Sequence, residues 1–318
     1  MKKEKVINRR QFTIGLTSLL LTSCLALTPP LPPPLKRYIC LEGGKFQKIK
    51  TRQGEVIEIH YRQKGNPENP NLLLLHGIAG SINTWNYIIN QLSTHFHTTA
   101  FDFKGCGNSN VTQTGYHPQD KIYETEQLIQ ALKIERTALI GQSLGAIIAA
   151  GINKELVNNK LVYISGTLPK ITTGLNDKIE RASKTPLAKH LTNSGIAREF
   201  LEDLYHNKEN ITAEHITEKV RNLKRDEYFE AFTKTCSLAK QYVSKELTLN
   251  QLQKALRGAL WIHGRQDSMF TITDNWEELL SAYYPETKGV VLEDCGHFVT
   301  HEQPEQFTKT ALEYLLVA

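Results

Sequence analysis

The feature that most constrains the fold of this chain is a repeated alternation between short apolar runs and segments with helical spacing. Runs such as "NLLLLHG" at 71–77 and "TALIG" at 137–141 are mainly apolar and end at glycine, which is typical of strands buried on both faces. Between them, segments such as "DKIYETEQLIQALKI" at 120–134 have apolar residues three and four positions apart. This alternation predicts an α/β fold with a mostly parallel central sheet flanked by helices.

The alternation stops in one long segment and then resumes. Residues 167–256 are charged, have helical spacing and contain no convincing buried strand, whereas "GALWIHG" at 258–264 again has the pattern of a strand. We therefore expect a core formed by residues 38–166 and 257–318, interrupted by a helical insertion. A second independent domain would give a similar pattern. We favour a lid, because the sheet pattern continues beyond the insertion and open α/β sheets place ligand sites at the carboxyl ends of their strands.

The first 37 residues have the pattern of a targeting leader rather than of a folded element. A cationic start containing Arg9 and Arg10 precedes a short apolar stretch at 13–27, and "LTSC", which ends at Cys24, resembles a bacterial lipobox. The proline-rich stretch at 28–36 would act as a stiff tether. We expect an exported protein held at a membrane surface by lipidated Cys24. A simple N-terminal anchor and a cleaved secretory peptide are the alternatives.

The charge distribution argues against nucleic acid as a partner. The formal net charge is +5, but seven cations and one acid lie in the first 37 residues, so the rest of the chain is close to neutral. This remaining part of the chain has no basic stripe of the kind that nucleic-acid binding requires. The five cysteines show neither CxxC nor Cys/His metal spacing, so we expect no metal site and infer no disulfide framework.

Ser143 stands at the junction of two apolar elements, in the sequence Gly141-Gln142-Ser143-Leu144-Gly145. A strand is predicted before it and a helix after it, which is the context of a G-x-S-x-G nucleophile elbow. Glycines on both sides would let the strand and the helix approach closely, and the helix N-terminus would favour developing negative charge. The pattern predicts a nucleophilic serine. A serine that only caps the following helix is the competing interpretation.

A nucleophilic serine needs a base and a carboxylate that orients the base. Asp267 follows the predicted strand at 258–264, and His297 follows the next strand, so both are expected at the same sheet edge as Ser143. Asp294 is a rival acid, although a side chain at the end of a strand often meets solvent.

Three other histidines are interpreted as structural. His76 organises its loop, His263 is turned away from the edge by strand alternation, and His301 starts the last helix.

Taken together, these motifs resemble those of the α/β-hydrolase superfamily, from about Gln47 to the end of the chain. The resemblance includes the elbow, His76-Gly77, Gly264 three residues before Asp267, and Gly296-His297.

The resemblance is greatest to the lidded serine-hydrolase branch, and it implies the triad order Ser143, Asp267, His297. It also implies an oxyanion hole formed by the backbone N–H groups of Ile78 and Leu144. The family usually has arginine where this chain has Lys104, which bears on local packing more than on chemistry.

The resemblance and the residues together predict a serine hydrolase that cleaves a carboxylic ester, or a similar acyl bond, of a small or lipid-like substrate. No metal or organic cofactor is needed for this chemistry. A carbon–carbon bond hydrolase and a cofactor-free haloperoxidase or perhydrolase would use the same triad. A non-catalytic binding protein is a further alternative. Related dehalogenases and epoxide hydrolases have aspartate at the elbow, so Ser143 argues against both of those reactions.

Overall fold

A computed structural model describes residues 44–173 and 194–317 of the chain. The predicted leader at 1–37, with Cys24, lies outside these residues, as does part of the predicted insertion. Among the described residues, no helix is both long enough and apolar enough to span a bilayer.

An eight-stranded sheet organises the described residues. Its strands, in spatial order, are β1 (Gly44–Lys50), β2 (Val56–Lys64), β4 (His97–Phe101), β3 (Asn71–Leu75), β5 (Thr137–Gln142), β6 (Val157–Ile164), β8 (Leu260–Gly264) and β10 (Lys288–Leu292). All pairs from β4 to β10 are parallel, whereas β1 pairs with β2 and β2 with β4 in antiparallel register. The prediction of a mostly parallel sheet is therefore confirmed.

The strands alternate their side chains between two apolar layers because successive residues of a strand point to opposite faces. In β3, Leu73 and Leu75 pack into one layer, and Leu72 and Leu74 into the other. Both layers are covered by helices, which explains why the strands have continuous apolar runs rather than a polar face.

The helices of the core lie on both faces of the sheet. They are α1 (Ile89–Leu92), α2 (Pro118–Ala131), α3 (Leu144–Gly151), α8 (Trp276–Tyr283), α9 (Val299–Glu302) and α10 (Pro304–Leu315), with a 3-10 helix at Ile82–Trp85. The apolar residues of α2 and α3 pack into the layer that contains Leu73, and those of α1 and α10 pack into the layer that contains Leu72. Both layers therefore have a helical cover.

The described residues between β6 and β8 are mainly helical. They form α4 (Ser194–Glu202), a 3-10 helix (Lys208–Asn210), α5 (Ala213–Leu223), α6 (Asp226–Gln241), a π-helical turn (Tyr242–Glu246) and α7 (Leu249–Ala255). Near the start of this segment, β7 (Thr172–Thr173) pairs with β9 (Thr271–Ile272) to form a two-stranded ribbon. Because β9 belongs to the core and begins four residues after Asp267, the ribbon joins the segment to the core. From here on, the insertion means the described residues between β6 and β8, which are 165–173 and 194–259.

Lys104, the departure from the usual arginine, is fully buried. Its Nζ lies 2.6 Å from Oε1 of Glu124 and 5.2 Å from the centroid of the Tyr116 ring. Burial raises the pKa of Glu124, an effect that the nearby Lys104 opposes. The lysine thus has an anionic and an aromatic partner, and the substitution is accommodated by local packing.

Candidate active site

Ser143 lies on a sharp turn between β5 and α3. Its φ of 55° is in the left-handed region, which costs a non-glycine residue energy and is common at functional sites. A Cβ at Gly141 would lie 2.4 Å from the carbonyl oxygen of Gly145, and one at Gly145 would lie 2.0 Å from that of Leu75. Only glycine fits at these two positions, so the elbow geometry expected from the sequence is present.

The Ser143 side chain makes no hydrogen bond to the N-terminus of α3. The helix-cap interpretation therefore fails. The serine instead lines a cavity that His297 also lines.

His297 is paired with Asp267, as the sequence analysis expected. Nδ1 of His297 lies 2.8 Å from Oδ2 of Asp267, and both side chains are buried. The other carboxylate oxygen of Asp267 accepts hydrogen bonds from the backbone N–H groups of Met269 and Phe270. Burial alone would raise the pKa of Asp267, but the charge of His297 and its hydrogen bond outweigh burial and lower the pKa. Asp267 is thus ionised and fixed in orientation.

Asp294 is placed elsewhere. Its side chain is 82% exposed and lies 3.7 Å from Nε2 of His206 in the insertion. The structure therefore brings Asp267, and not the rival acid, to His297.

The expectation for His263 was wrong. Its side chain is not turned away from the edge: Nε2 lies 3.4 Å from Oδ2 of Asp267 and donates to the carbonyl oxygen of Phe270, 2.7 Å away. The loop after β8 folds back, as the hydrogen bond from Asp267 N to the carbonyl of Gly264 shows, and this brings the carboxylate over His263. Burial lowers the pKa of His263, which favours a neutral ring beneath the acid.

The two predicted oxyanion donors, Ile78 and Leu144, line the same cavity as Ser143. In the part of the chain that the structure describes, neither backbone N–H has a hydrogen-bond acceptor. Gly77 lies directly against the elbow, since a Cβ added to it would be 3.1 Å from Cβ of Ser143. The structure thus brings the loop of Ile78 beside the serine and leaves two amides free to donate.

No hydrogen bond joins Oγ of Ser143 to His297 within the described residues. Hydrogen bonds between catalytic groups are often long or poorly aligned without substrate and shorten in the complex. A proton could pass from Oγ to the ring only after the two side chains come into hydrogen-bond contact.

The cavity beside Ser143 is lined mainly by apolar side chains. Both the core and the insertion contribute apolar side chains to it, namely Ile147, Phe200, Leu204, Phe232, Val243, Met269, Phe270 and Phe298. Two lysines of the insertion, Lys219 and Lys240, also line it. The cavity is thus suited to a largely apolar group next to the serine.

Several residues that support the site were not found from the sequence. Nε2 of Gln142, inside the elbow motif, donates to the backbone carbonyl of His297 at 3.2 Å. The carboxylate of Glu302 accepts from the backbone N–H groups of Gly296 in the core and of His206 and Asn207 in the insertion. The loop that holds His297 is thereby attached to both the elbow and the insertion. Helical periodicity gives no signal for such long-range contacts.

His301 joins the insertion to the core. It lies in α9, just before the last helix, and its ring stacks on that of His215 in α5 with a centroid distance of 4.5 Å. Nε2 donates to the carbonyl of Thr84, so Nδ1 accepts from the hydroxyl of Tyr205 at 2.7 Å. Burial lowers the pKa of His301 to about 3 and that of His215 to about 4.

These neutral histidines predict a pH-dependent stability. Their pKa values in the folded chain lie below the unfolded value of about 6.5, so the unfolded state binds more protons between about pH 3 and 6.5. The free energy of unfolding should fall as the pH falls through this range, by up to about 1.4 kcal/mol per pH unit for each ring. Chemical denaturation at several pH values measures this slope.

His301→Gln preserves a donor and an acceptor but does not titrate, so it should flatten the slope. His95→Gln, at an exposed position, is the matched control and should leave the slope unchanged. An identical slope in wild type and His301→Gln would contradict the prediction.

The chain is similar in sequence and in fold to known hydrolases. A family model described as alpha/beta hydrolase fold matches residues 70–304. The chain is 23% identical to 2-hydroxy-6-oxo-6-(2'-aminophenyl)hexa-2,4-dienoic acid hydrolase of Metapseudomonas resinovorans, over 81% of this chain and 88% of the relative. It is 24% identical to pimeloyl-[acyl-carrier protein] methyl ester esterase of Aeromonas salmonicida, over 76% of this chain and 94% of the relative. A meta-cleavage product hydrolase from Pseudomonas fluorescens has a similar structure, with a TM-score of 0.69, 19% identity and coverage of 85% of this chain and 97% of its own.

Proposed function

Because the chain belongs to the α/β-hydrolase family, we propose that it is a serine hydrolase that cleaves a carboxylic ester with Ser143, His297 and Asp267 as its catalytic triad. The observation that carries this proposal is the position of Ser143. It has a left-handed backbone at the end of β5, makes no cap hydrogen bond and shares a mainly apolar cavity with a histidine that is paired to a buried carboxylate.

The proposed reaction proceeds through an acyl-enzyme. Nε2 of His297 takes the proton from Oγ of Ser143 as Oγ attacks the ester carbonyl carbon. The amides of Ile78 and Leu144 donate to the oxyanion that forms. The protonated His297 then gives its proton to the leaving alcohol. In the second half of the reaction, His297 takes a proton from water as the water attacks the acyl carbon. The bond between the acyl carbon and Oγ of Ser143 then breaks, His297 returns its proton to Oγ, and the acid leaves.

Asp267 supports both halves of this reaction. Its carboxylate accepts from Nδ1–H of His297, which keeps Nε2 unprotonated and directed at the serine. The same negative charge stabilises the imidazolium that forms during each proton transfer. Since Asp267 is held by two backbone amides, it can do this without reorganising.

We propose that the insertion acts as a lid. Its residues supply part of the cavity wall beside Ser143, including Phe200 and Phe232. A wall of this kind excludes water from the acyl group and gives the substrate an apolar surface. The side chains of the insertion would then set substrate preference.

The apolar cavity predicts a dependence on acyl-chain length. The value of kcat/KM for p-nitrophenyl esters should rise from acetate to hexanoate by about 2- to 4-fold per methylene, since each fully buried methylene contributes about 0.8 kcal/mol. Steady-state rates across this series measure the trend. A flat series, or acetate as the best substrate, would contradict an acyl group bound in this cavity.

A carbon–carbon hydrolase is the second candidate. The relative from Metapseudomonas resinovorans, which aligns with 81% of this chain, is named as a dienoic acid hydrolase. It would use the same serine and histidine but must protonate a carbon leaving group. A panel of 1,3-diketones assayed beside the esters separates the two reactions. Cleavage of the diketones without ester turnover would favour this candidate.

We also propose that the N-terminal residues export the chain and anchor it through lipidated Cys24, with the proline-rich stretch as a tether. Support for this comes from the sequence pattern alone. Intact-mass analysis of the mature protein should give an N-terminus at Cys24 with the added mass of acyl chains. An unmodified N-terminus, or one at another residue, would reject lipidation.

A further inference from the structure

The loop at 77–81, which we call the oxyanion loop, is held firmly from the core side. Nε2 of His76 accepts from the N–H of Phe103, so Nδ1–H donates to the carbonyl of Gly77 at 2.7 Å. Burial lowers the pKa of His76 to about 4, which favours this neutral form. At the other end of the loop, the carboxylate of Asp102 accepts from the N–H of Ile82 at 2.7 Å.

Between these two fixed ends the loop is strained. Ala79 has a φ of 53°, in the left-handed region, and directly follows Ile78. A non-glycine residue persists in this region only when its surroundings hold it there. The N–H of Gly80 donates to the carbonyl of Gly77 at 3.1 Å, and this carbonyl lies in the same planar peptide as the Ile78 N–H. The direction of the Ile78 amide therefore depends on His76 and on whatever fixes the Ala79–Gly80 peptide.

Two consecutive residues of α5 contact the oxyanion loop from the insertion side. The ammonium group of Lys219 donates to the carbonyl oxygen of Ala79 at 2.5 Å, and the carboxylate of Glu218 accepts from the hydroxyl of Ser81. The two contacts lie on either side of Gly80. Both are charge-assisted hydrogen bonds, which are stronger than neutral ones. Ser81 is buried, and Glu218 and Lys219 are half-buried.

The position of this pair depends on the packing of α5. Val220 and Leu223, on the same helix, are buried, and Leu223 belongs to an apolar cluster with Phe232 and Phe270. The hydroxyl of Thr212 caps the helix by accepting from the N–H of His215. The two charged side chains thus reach the loop only while α5 is seated on the core.

We propose that Glu218 and Lys219 are positioning residues that fix the oxyanion loop, so that the oxyanion hole is complete only when α5 is docked. This inference rests on the proposed serine-hydrolase function. Lys219 holds the carbonyl of Ala79 and so fixes the Ala79–Gly80 peptide. The N–H of that peptide donates to the carbonyl of Gly77, which supports the peptide that carries the Ile78 amide. Glu218 holds Ser81 and prevents the loop from rotating about Gly80. The insertion therefore contributes to transition-state stabilisation as well as to the pocket wall.

The test separates binding of an oxyanion from binding of an apolar chain. Lys219→Met removes the ammonium group and keeps the stem, and Glu218→Ala removes the acceptor. Each is expected to lower kcat about 10-fold, with KM changed by less than about 2-fold, because loss of a whole oxyanion donor costs about 100-fold or more. The inhibition constant of a trifluoromethyl ketone, whose adduct with Ser143 carries an oxyanion, should rise about 10-fold. That of the matching alcohol, which forms no oxyanion, should not change.

Controls on α5 and at its C-terminal cap make the result specific. Lys224→Met and Glu214→Ala change exposed residues of like charge and should match wild type. Glu218→Gln retains an acceptor for Ser81 and should recover most of the activity that Glu218→Ala loses. If thermal unfolding shows that Lys219→Met does not fold, the comparison of Glu218→Ala with Glu218→Gln still tests the inference.

Two outcomes would overturn the inference. If the ketone and the alcohol weaken equally, the pair shapes the whole pocket rather than the oxyanion loop. If neither changes in an active protein, the pair positions nothing. Wild type that neither hydrolyses esters nor binds the ketone would instead reject the proposed function itself.

Discussion

Ser143→Ala is expected to lower kcat/KM for a cleaved ester by about 10⁴-fold or more while the protein remains folded. The variant has no nucleophile, but it retains the oxyanion amides and the cavity, so substrate binding should survive. Alanine fits the same turn, because the serine hydroxyl makes no hydrogen bond to the helix that follows it. Steady-state kinetics measure the loss, and circular dichroism with thermal unfolding monitors the fold.

Ser244→Ala is the matched control for this variant. Ser244 is an exposed serine of the insertion, and its replacement should leave turnover unchanged. Turnover by Ser143→Ala at a rate near that of wild type would mean that the hydrolytic group lies elsewhere.

Asp267→Asn is expected to lower kcat by about 10³- to 10⁴-fold. The amide oxygen of asparagine can accept from the N–H groups of Met269 and Phe270, as the carboxylate does now. Its NH₂ group then faces His297 and donates to Nδ1, which places the ring proton on Nε2. A histidine in this tautomer cannot accept the serine proton, and the imidazolium has lost its counter-charge. The pH–rate profile and kcat of the variant measure the effect.

The control for this variant is Asp294→Asn, the rival acid. Its side chain is exposed and lies near His206 rather than His297, so kcat should change by less than about 2-fold. A large loss in Asp294→Asn together with a small loss in Asp267→Asn would reverse the assignment of the acid.

The sheet and the elbow could be predicted from the sequence because local rules determine them. A strand buried on both faces must be apolar at successive positions, as β3 and β5 are. The elbow needs glycine at Gly141 and Gly145, where a Cβ would collide with backbone. Asp267 and His297 follow strands that end at one edge, so their meeting is a consequence of topology.

The contacts of the insertion could not be predicted in the same way. Periodicity gives each helix an apolar stripe but does not say what the stripe contacts, so the cavity positions of Phe200 and Phe232 were not predicted. Glu218 and Lys219 have the pattern of solvated charges, yet they contact the oxyanion loop. His263 was misjudged because strand alternation fixes the face of the sheet and not the path of the loop that folds back over it.

The most direct test of the proposed mechanism is to locate the site of covalent labelling by a serine-directed fluorophosphonate. The purified chain should take up one probe, and peptide mass spectrometry should find the phosphonyl group on Ser143. Labelling should be lost in Ser143→Ala and strongly slowed in His297→Gln, because the reaction needs the base that activates the hydroxyl. A folded wild-type protein that does not label, or that labels at another residue, would contradict the mechanism.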